Sequence, residues 1–255
     1  MSNIRSKIIN KELVFGTWLQ TGNCAVAEIM AEYGWDYIAA DMEHTSINEN
    51  DFVDFARAIK GRTAAFARVE SDDALAIRKV LDLGAEGVIV PMVNNKAQAQ
   101  KVVEAAKYAP MGKRGFAWIR ANKYGVEFNE YASIANDSIA VIAMIETKEA
   151  VENIDEILSV EGIDGVFIGP YDMSGSYGVV GQVDHELVLN AKKVVLEACK
   201  KHNKVAGQHI VRATKENVKA AVEQGYTFFA LGTDVLFVDN ECKKTFALAK
   251  EAKGE

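Results

Sequence analysis

Ile139-Ala140-Val141-Ile142-Ala143-Met144-Ile145 followed by Glu146, and Gly165-Val166-Phe167-Ile168 followed by Gly169-Pro170-Tyr171-Asp172, are two apolar runs that each lead into an acidic residue. A continuous apolar run of this length reads as a strand buried on both faces, the kind that builds parallel sheets. If both strands belong to one parallel barrel, Glu146 and Asp172 converge at its C-terminal rim. There, two carboxylates can hold a hard divalent cation with open positions for water or substrate. That placement points to an enzyme. The alternative for each carboxylate is a helix cap, because an acidic side chain at the start of a helix is favoured by the helix dipole.

Outward from this pair the same unit recurs. Strands are predicted at residues 13–19, 37–41, 64–69, 87–90, 140–145, 165–168, 205–207 and 227–231. Between and after them, apolar residues recur with a helical period of about 3.6, predicting helices over 25–33, 49–59, 74–83, 96–107, 148–158, 185–202, 215–224 and 235–250. Eight such pairs in 255 residues are the arithmetic of a single α/β domain, a (β/α)8 TIM barrel over residues 1–255. Gly34, Gly84 and Gly225 each follow an amphipathic stretch and supply the left-handed residue that closes a helix. A doubly wound open sheet is the structural rival, but its dinucleotide-binding version needs a Gly-x-Gly-x-x-Gly turn after an early strand, and none is present. With only three prolines and no Gly/Ser-rich or single-sign charged stretch, nothing divides the chain in two.

The net charge of −7 comes from 36 acidic and 29 basic residues, the basic ones scattered along the chain. Nucleic acid is therefore not an expected partner. No apolar run approaches the roughly 20 residues that span a bilayer, and no apolar signal region follows the start Met1-Ser2-Asn3. The expectation is a cytoplasmic chain without membrane contact. Cys24, Cys199 and Cys242 are odd in number and unpaired by spacing, so they read as reduced thiols. Cys24 has no histidine beside it and reads as a small packing residue rather than a nucleophile.

One connection, 110–136, is too long for a simple return and contains Trp118, Tyr124 and Gly125. Long loops in compact domains are usually functional; this one reads as a lid or a subunit contact. Arg114 and Arg120 within it either meet an anionic substrate or serve at a solvated or interface position.

Further candidates end other strands. His44, in Asp41-Met42-Glu43-His44 after the second strand, belongs to the same rim; histidine titrates near neutrality, and an adjacent carboxylate can orient its ring. Arg68 ends the third strand, where it either forms a structural ion pair or stabilises a developing enolate or alkoxide. The turn Gly169-Pro170-Tyr171-Asp172 offers backbone amides to a carboxylate. His209, after the seventh strand, is a second rim histidine.

Together, Gly16-Thr17-Trp18, Asp41-Met42-Glu43-His44, Arg68, Gly87 to Met92, Tyr108 to Gly115, Ile145-Glu146-Thr147 and Gly169 to Ser174 resemble the HpcH/HpaI aldolase family over nearly the whole chain. The resemblance implies a TIM barrel of the phosphoenolpyruvate/pyruvate-domain type and a class II aldolase that uses a divalent metal ion (Mg²⁺, Mn²⁺ or Co²⁺). Such an enzyme cleaves a 4-hydroxy-2-oxo acid to pyruvate and an aldehyde, or runs the reverse condensation, through a pyruvate enolate. It also implies a homohexamer, a trimer of dimers, with the C-terminal helix at about 235–252 exchanged between subunits.

Carried onto this chain, the resemblance makes Glu146 and Asp172 the metal ligands, His44 the base acting through water at the metal, and Arg68 the contact to the ketone oxygen. Trp18 and the turn Gly169, Pro170, Tyr171 and Asp172 bind substrate, with the Tyr171 and Asp172 amides on its carboxylate. Asp82 becomes an acidic residue near the base, contributed across a subunit boundary. Two positions depart from the family pattern: Met144 stands where many members carry a glutamine that supports water at the metal, and Val69 where catabolic members often have proline. A thioether donates no hydrogen bond. The departures keep two other readings open, an oxaloacetate decarboxylase or biosynthetic condensing enzyme on the same site, and a barrel that binds without catalysing.

Overall fold

The computed structural model describes residues 4–254. Residues 1–3 and 255 of the expected domain lie outside them. The chain enters through a short helix, α1 (Ile4–Ile9), and then alternates: β1 (Val14–Leu19), α2 (Cys24–Ala31), β2 (Tyr37–Asp41), α3 (Glu49–Ala58), β3 (Ala64–Arg68), α4 (Ala74–Asp82), β4 (Gly87–Val90) and α5 (Lys96–Ala106). After α6 (Phe128–Ser138) comes β5 (Ala140–Ile145), then α7 (Lys148–Glu152) and α8 (Ile154–Leu158) where the sequence pattern predicts one helix. The remainder is β6 (Gly165–Ile168), α9 (Pro170–Ser176), α10 (Glu186–Lys201), β7 (Val205–Ile210), α11 (Lys215–Gln224), β8 (Phe228–Thr233) and α12 (Asp234–Lys253). All eight strands pair in parallel in chain order, and β8 returns to β1, so the sheet closes. The expected TIM barrel is the observed fold.

Strand alternation sorts the core into two shells. Inward-facing Val14, Trp18, Tyr37, Phe66, Ile142, Met144, Phe167, Val205 and Phe228 fill the barrel, while the alternate residues pack under the helices. The Tyr37 and Phe228 rings stack at 4.7 Å between centroids, and the Tyr37 hydroxyl donates to Phe229 O at 2.9 Å. Truncating a ring in such a layer costs about 3–5 kcal/mol, because the filled interior cannot collapse around the void. Ile4 and Ile8 of α1 join this inner cluster and close the barrel at the N-terminal end of the strands.

Helix ends follow sequence-local chemistry. Asn23, Asn48 and Asp73 cap α2, α3 and α4 through side-chain oxygens, and Gly34, Gly84 and Gly225 all adopt positive φ as expected.

The 107–139 segment corrects one expectation. It links the C-terminal end of α5 to the start of β5, so it lies at the N-terminal end of the barrel and cannot be a lid over the chain's own C-terminal mouth. Its Arg114 is buried, donating to Asp82 at 2.7 Å and lying over the Tyr108 ring at 4.7 Å. Arg120 donates to Leu83 O at 2.6 Å. Both arginines anchor the segment. Buried Lys107 ties its far end, donating to Asn136 O at 2.7 Å and Ile139 O at 2.6 Å. Burial lowers the Lys107 pKa to about 8, yet this amine stands at the opposite end of the barrel from the rim.

Candidate active site

The inward positions of the strands continue by twos past their apolar portions. Trp18 leads to Gln20, Ala39 to Asp41, Phe66 to Arg68, Met144 to Glu146, Phe167 to Gly169 and Gly207 to His209. A period of two therefore places six residues from six strands in one layer at the C-terminal end of the barrel. The register that pairs Asp41 with Arg68 brings the first ion pair together.

Arg68 Nε donates to Asp41 Oδ1 at 2.9 Å and its Nη2 to Oδ2 at 2.7 Å, a bidentate pair. Asp41 is fully buried and also accepts from Gln20 Nε2 at 3.3 Å and the His44 backbone at 3.3 Å. Burial pushes its carboxyl up, but the Arg68 hydrogen bonds and charge outweigh that and hold it below the ordinary range. The structural ion pair is thus realised. Of the five guanidinium hydrogens, those on Nη1 stay uncommitted, and the Trp18 ring lies 4.7 Å beneath the guanidinium.

Glu43 Oε2 lies 3.4 Å from Arg68 Nε and 3.4 Å from His44 Nε2, beyond hydrogen-bond reach of both. It is buried without a hydrogen-bond partner, as is Trp18 Nε1. Burial raises the Glu43 carboxyl; Arg68 and His44 oppose that, while Asp41 and Asp172 reinforce it. The His44 side chain is 56% exposed and faces the mouth.

Glu146 is 2% exposed and accepts from Met92 N at 2.7 Å through Oε1. Met92 adopts a left-handed backbone, φ 54°, an uncommon conformation for a non-glycine residue at a functional rim. The helix-cap alternative fails for Glu146, since Thr147 Oγ1 caps α7 by accepting from Ala150 N at 3.0 Å. Burial raises the Glu146 carboxyl to about 7; the Met92 amide opposes this, and the charges of Glu43 and Asp172 add to it. Asp172 is exposed in the first turn of α9, whose leading amides have no intrahelical partner. A Cβ on Gly169 would stand 2.6 Å from Glu146 Oε2, so glycine there leaves room beside that carboxylate.

Glu43, Glu146 and Asp172 therefore feel one another's charge, while Arg68 is largely neutralised by Asp41. Among the described residues no group of three or more His, Cys, Asp or Glu is arranged to hold an ion unaided. Two carboxylates with water completing the shell is how Mg²⁺-like ions are commonly bound, and the orphaned, charge-crowded oxygens here fit such an ion.

Asp82 is not in this group. It closes α4, pairs with Arg114, and lies toward the N-terminal end of its own barrel. Met144 is 3% exposed and packs in the inner cluster with Trp18 and Phe167. Asp41 and Glu43 are the site groups sequence reading left without roles. Both were legible as acidic residues at the end of a strand adjacent to the one ending in Arg68. Cys24 is half-buried, and burial raises its thiol, so it supplies no reactive thiolate.

A closed parallel barrel whose C-terminal mouth gathers an arginine, two histidines and four carboxylates defines a TIM-barrel enzyme suited to charge developing on a small, oxygen-rich substrate. The chain belongs to the HpcH/HpaI aldolase/citrate lyase family, whose model matches residues 14–240, and it is a carbon–carbon lyase of the aldolase type. It is 36% identical to a 2-dehydro-3,6-dideoxy-6-sulfogluconate aldolase of Pseudomonas putida over 92% of each chain. It is 35% identical to a hydroxypyruvate/pyruvate aldolase of Sagittula stellata, covering 93% of this chain and 92% of that one. The crystal structure of a citrate synthase superposes with a TM-score of 0.88 at 28% identity, covering 99% of both chains. No helix among the described residues is long and apolar enough to cross a membrane.

Proposed function

We propose that the chain is a divalent-metal-dependent aldolase that releases pyruvate and an aldehyde from a 4-hydroxy-2-oxo acid of the sugar-acid type, and runs the reverse addition. The observation that carries this reading is buried Glu146, fixed by the Met92 amide and crowded by the charges of Glu43 and Asp172, which outweigh the opposing charge of Arg68. Glu146 and Asp172 would hold the ion. When bound, it acts as a Lewis acid toward the oxygens of a 2-oxo acid.

The chain's own groups do the rest. The amides that open α9, at Tyr171 and Asp172, receive the substrate carboxylate. Trp18 forms the wall under Arg68. The Nη1 hydrogens of Arg68 meet the negative charge that develops on the C2 oxygen as the C3–C4 bond breaks. His44 takes the C4 hydroxyl proton, the aldehyde leaves, and the enolate is protonated at C3. Among the described residues no lysine ends a strand at the mouth, so a Schiff base is not part of this reading.

The test is pyruvate release from 4-hydroxy-2-oxo acids with Mg²⁺, Mn²⁺ or Co²⁺, and its loss on chelation. His44→Asn should lower kcat by about 10²- to 10⁴-fold and leave the thermal midpoint and metal affinity unchanged, because the side chain is largely exposed. A kcat within threefold of wild type would remove His44 from the role of base.

The likeness to a citrate synthase favours a second reading, in which the same enolate meets another acceptor, and Met144 supports it because it replaces the glutamine that many family members use to support water at the metal. Comparing aldehyde-dependent turnover with oxaloacetate decay on one preparation separates the two.

A homohexamer completes the proposal. Beyond its first turns α12 is exposed, with Phe246 and Leu248 60% and 62% accessible, an apolar face that suits exchange between subunits. In such an assembly Asp82 would reach a neighbour's base. Phe246→Glu with Leu248→Glu should shift the mass measured by light scattering from hexamer to smaller species; an unchanged mass would refute the exchange. Three unpaired cysteines support a reducing, cytoplasmic setting.

A further inference from the structure

His209 is absent from the mechanism above, yet it lies in its midst. On β7, Val205 packs inside the barrel, and a Cβ on Gly207 would meet the inward rings of Phe228 and Phe167. Two residues further, His209 points into the mouth, its ring 6.0 Å from that of Trp18.

A bulge holds it there. The pairing of β8 with β1 slips between Gly16 and Trp18, and Gly232, opposite the slip, adopts φ 64°. Bulges recur at barrel rims, where they re-aim a backbone group. Here the Gly232 carbonyl is turned so that His209 Nε2 lies 3.1 Å from it. A carbonyl only accepts, so Nε2 carries the hydrogen and Nδ1 is left as a lone-pair acceptor. No donor among the described residues reaches Nδ1, and it is not among the sealed, unpartnered atoms. An inward side chain at the top of a strand meets solvent only through the mouth. Burial, with the Arg68 charge added, lowers the imidazole to about 4, against the pull of the Gly232 carbonyl and Asp41. The ring is therefore neutral at physiological pH.

The neighbours narrow what Nδ1 can read. Trp18, Met144 and Phe167, which share this wall, offer no oxygen or nitrogen acceptor. The α9 amides after β6 take the substrate carboxylate, and Arg68 above Trp18 takes the ketone oxygen. β7 lies between β6 and the β8–β1 side that carries Trp18. With the carboxylate and the ketone oxygen held as in the proposed function, the part of a 2-oxo acid that would face His209 is the substituent on C3.

We infer that His209 sets donor specificity by accepting a hydrogen bond from a hydroxyl on C3 of the bound 2-oxo acid, so that a hydroxyl is preferred to a methyl at that position. This rests on the function proposed above. The informative probes are hydroxypyruvate and 2-oxobutanoate, which place a hydroxyl and a methyl of similar size on C3, with pyruvate as reference. Solvent deuterium exchange at C3 and calorimetric affinity are measured for each with wild type, His209→Leu and His209→Gln.

Wild type should favour hydroxypyruvate over 2-oxobutanoate about tenfold in both readouts, the effect of one hydrogen bond in a sheltered site. His209→Leu should erase that preference while pyruvate stays within twofold, and His209→Gln, whose amide oxygen can accept, should retain most of it. Equal treatment of the two probes by wild type, or a preference that survives His209→Leu, overturns the inference. Exchange of pyruvate with an unmoved ratio condemns the role of His209 alone. Absence of exchange with every donor in wild type overturns both this role and the proposed function.

Discussion

Glu146→Gln should reduce metal-supported turnover by at least about 10³-fold, the scale of removing a group on which transition-state charge depends, and should also remove a pH-dependent weakness of the metal-free protein. The two effects share one cause. Burial and the charges of Glu43 and Asp172 raise the folded-state carboxyl from 4.5 to about 7. Between those values the unfolded chain has already released the proton that the folded chain still holds. Stability from this group is therefore full below pH 4.5 and falls as pH rises to about 7. The loss approaches about 3 kcal/mol at full ionisation, since each unit is worth about 1.4 kcal/mol. A cation bound to the ionised carboxylate reverses the trend, because it binds the folded state alone. Thermal scans at pH 5 and pH 8, with and without Mn²⁺, should show the metal-free midpoint falling at pH 8 and recovering with metal. Glu146→Gln should flatten both responses. A wild-type midpoint indifferent to Mn²⁺ at pH 8 would contradict the assignment of Glu146 to the ion.

Arg68→Met carries the second large effect, and it acts on fold and chemistry together. The substitution leaves the Asp41 carboxylate fully buried, with only Gln20 and the His44 backbone as donors. Breaking a buried pair on one side costs about 3–5 kcal/mol, because the remaining charge is uncompensated. Asp41, now held low by Arg68, contributes stability that is present above its unfolded value and lost as pH falls through its folded value. The variant should lose that acid limb. Adding Asp41→Asn should restore much of the stability by removing the orphaned charge, yet kcat/KM should remain about 10²- to 10³-fold below wild type, the effect of one missing oxyanion donor. Urea unfolding and steady-state kinetics on the single and double variants separate the contributions. Recovery of activity along with stability would reduce Arg68 to a structural role.

The barrel was legible because its signals are local. Apolar runs followed by amphipathic stretches, with glycine at Gly34, Gly84 and Gly225, mark βα units without reference to distant contacts. Glu146, Asp172, Arg68 and His44 were legible for the same reason, since each ends or follows a strand. What escaped depends on register or on which end of the barrel a segment occupies. Asp41 meets Arg68 because β2 and β3 pair in that register, and Met92 serves Glu146 through a backbone conformation that no side-chain pattern announces. The 110–136 connection carried the aromatic content of a functional loop, but the polarity of the chain consigns an αβ connection to the face opposite the mouth. β7 and β8 ran past their predicted ends, through Gln208-His209 and Gly232, where polar residues and a glycine interrupt the apolar run. Gly232 belongs to the bulge that orients His209.

The central claim is that a divalent ion held by Glu146 and Asp172 lets this barrel form an enolate from pyruvate. Proton NMR of the pyruvate methyl group in deuterated buffer measures that step without any aldehyde. The account predicts exchange that requires Mg²⁺, Mn²⁺ or Co²⁺, stops in excess chelator, and is lost in Glu146→Gln. Exchange that proceeds undiminished with chelator present, or in the Glu146→Gln protein, would contradict it.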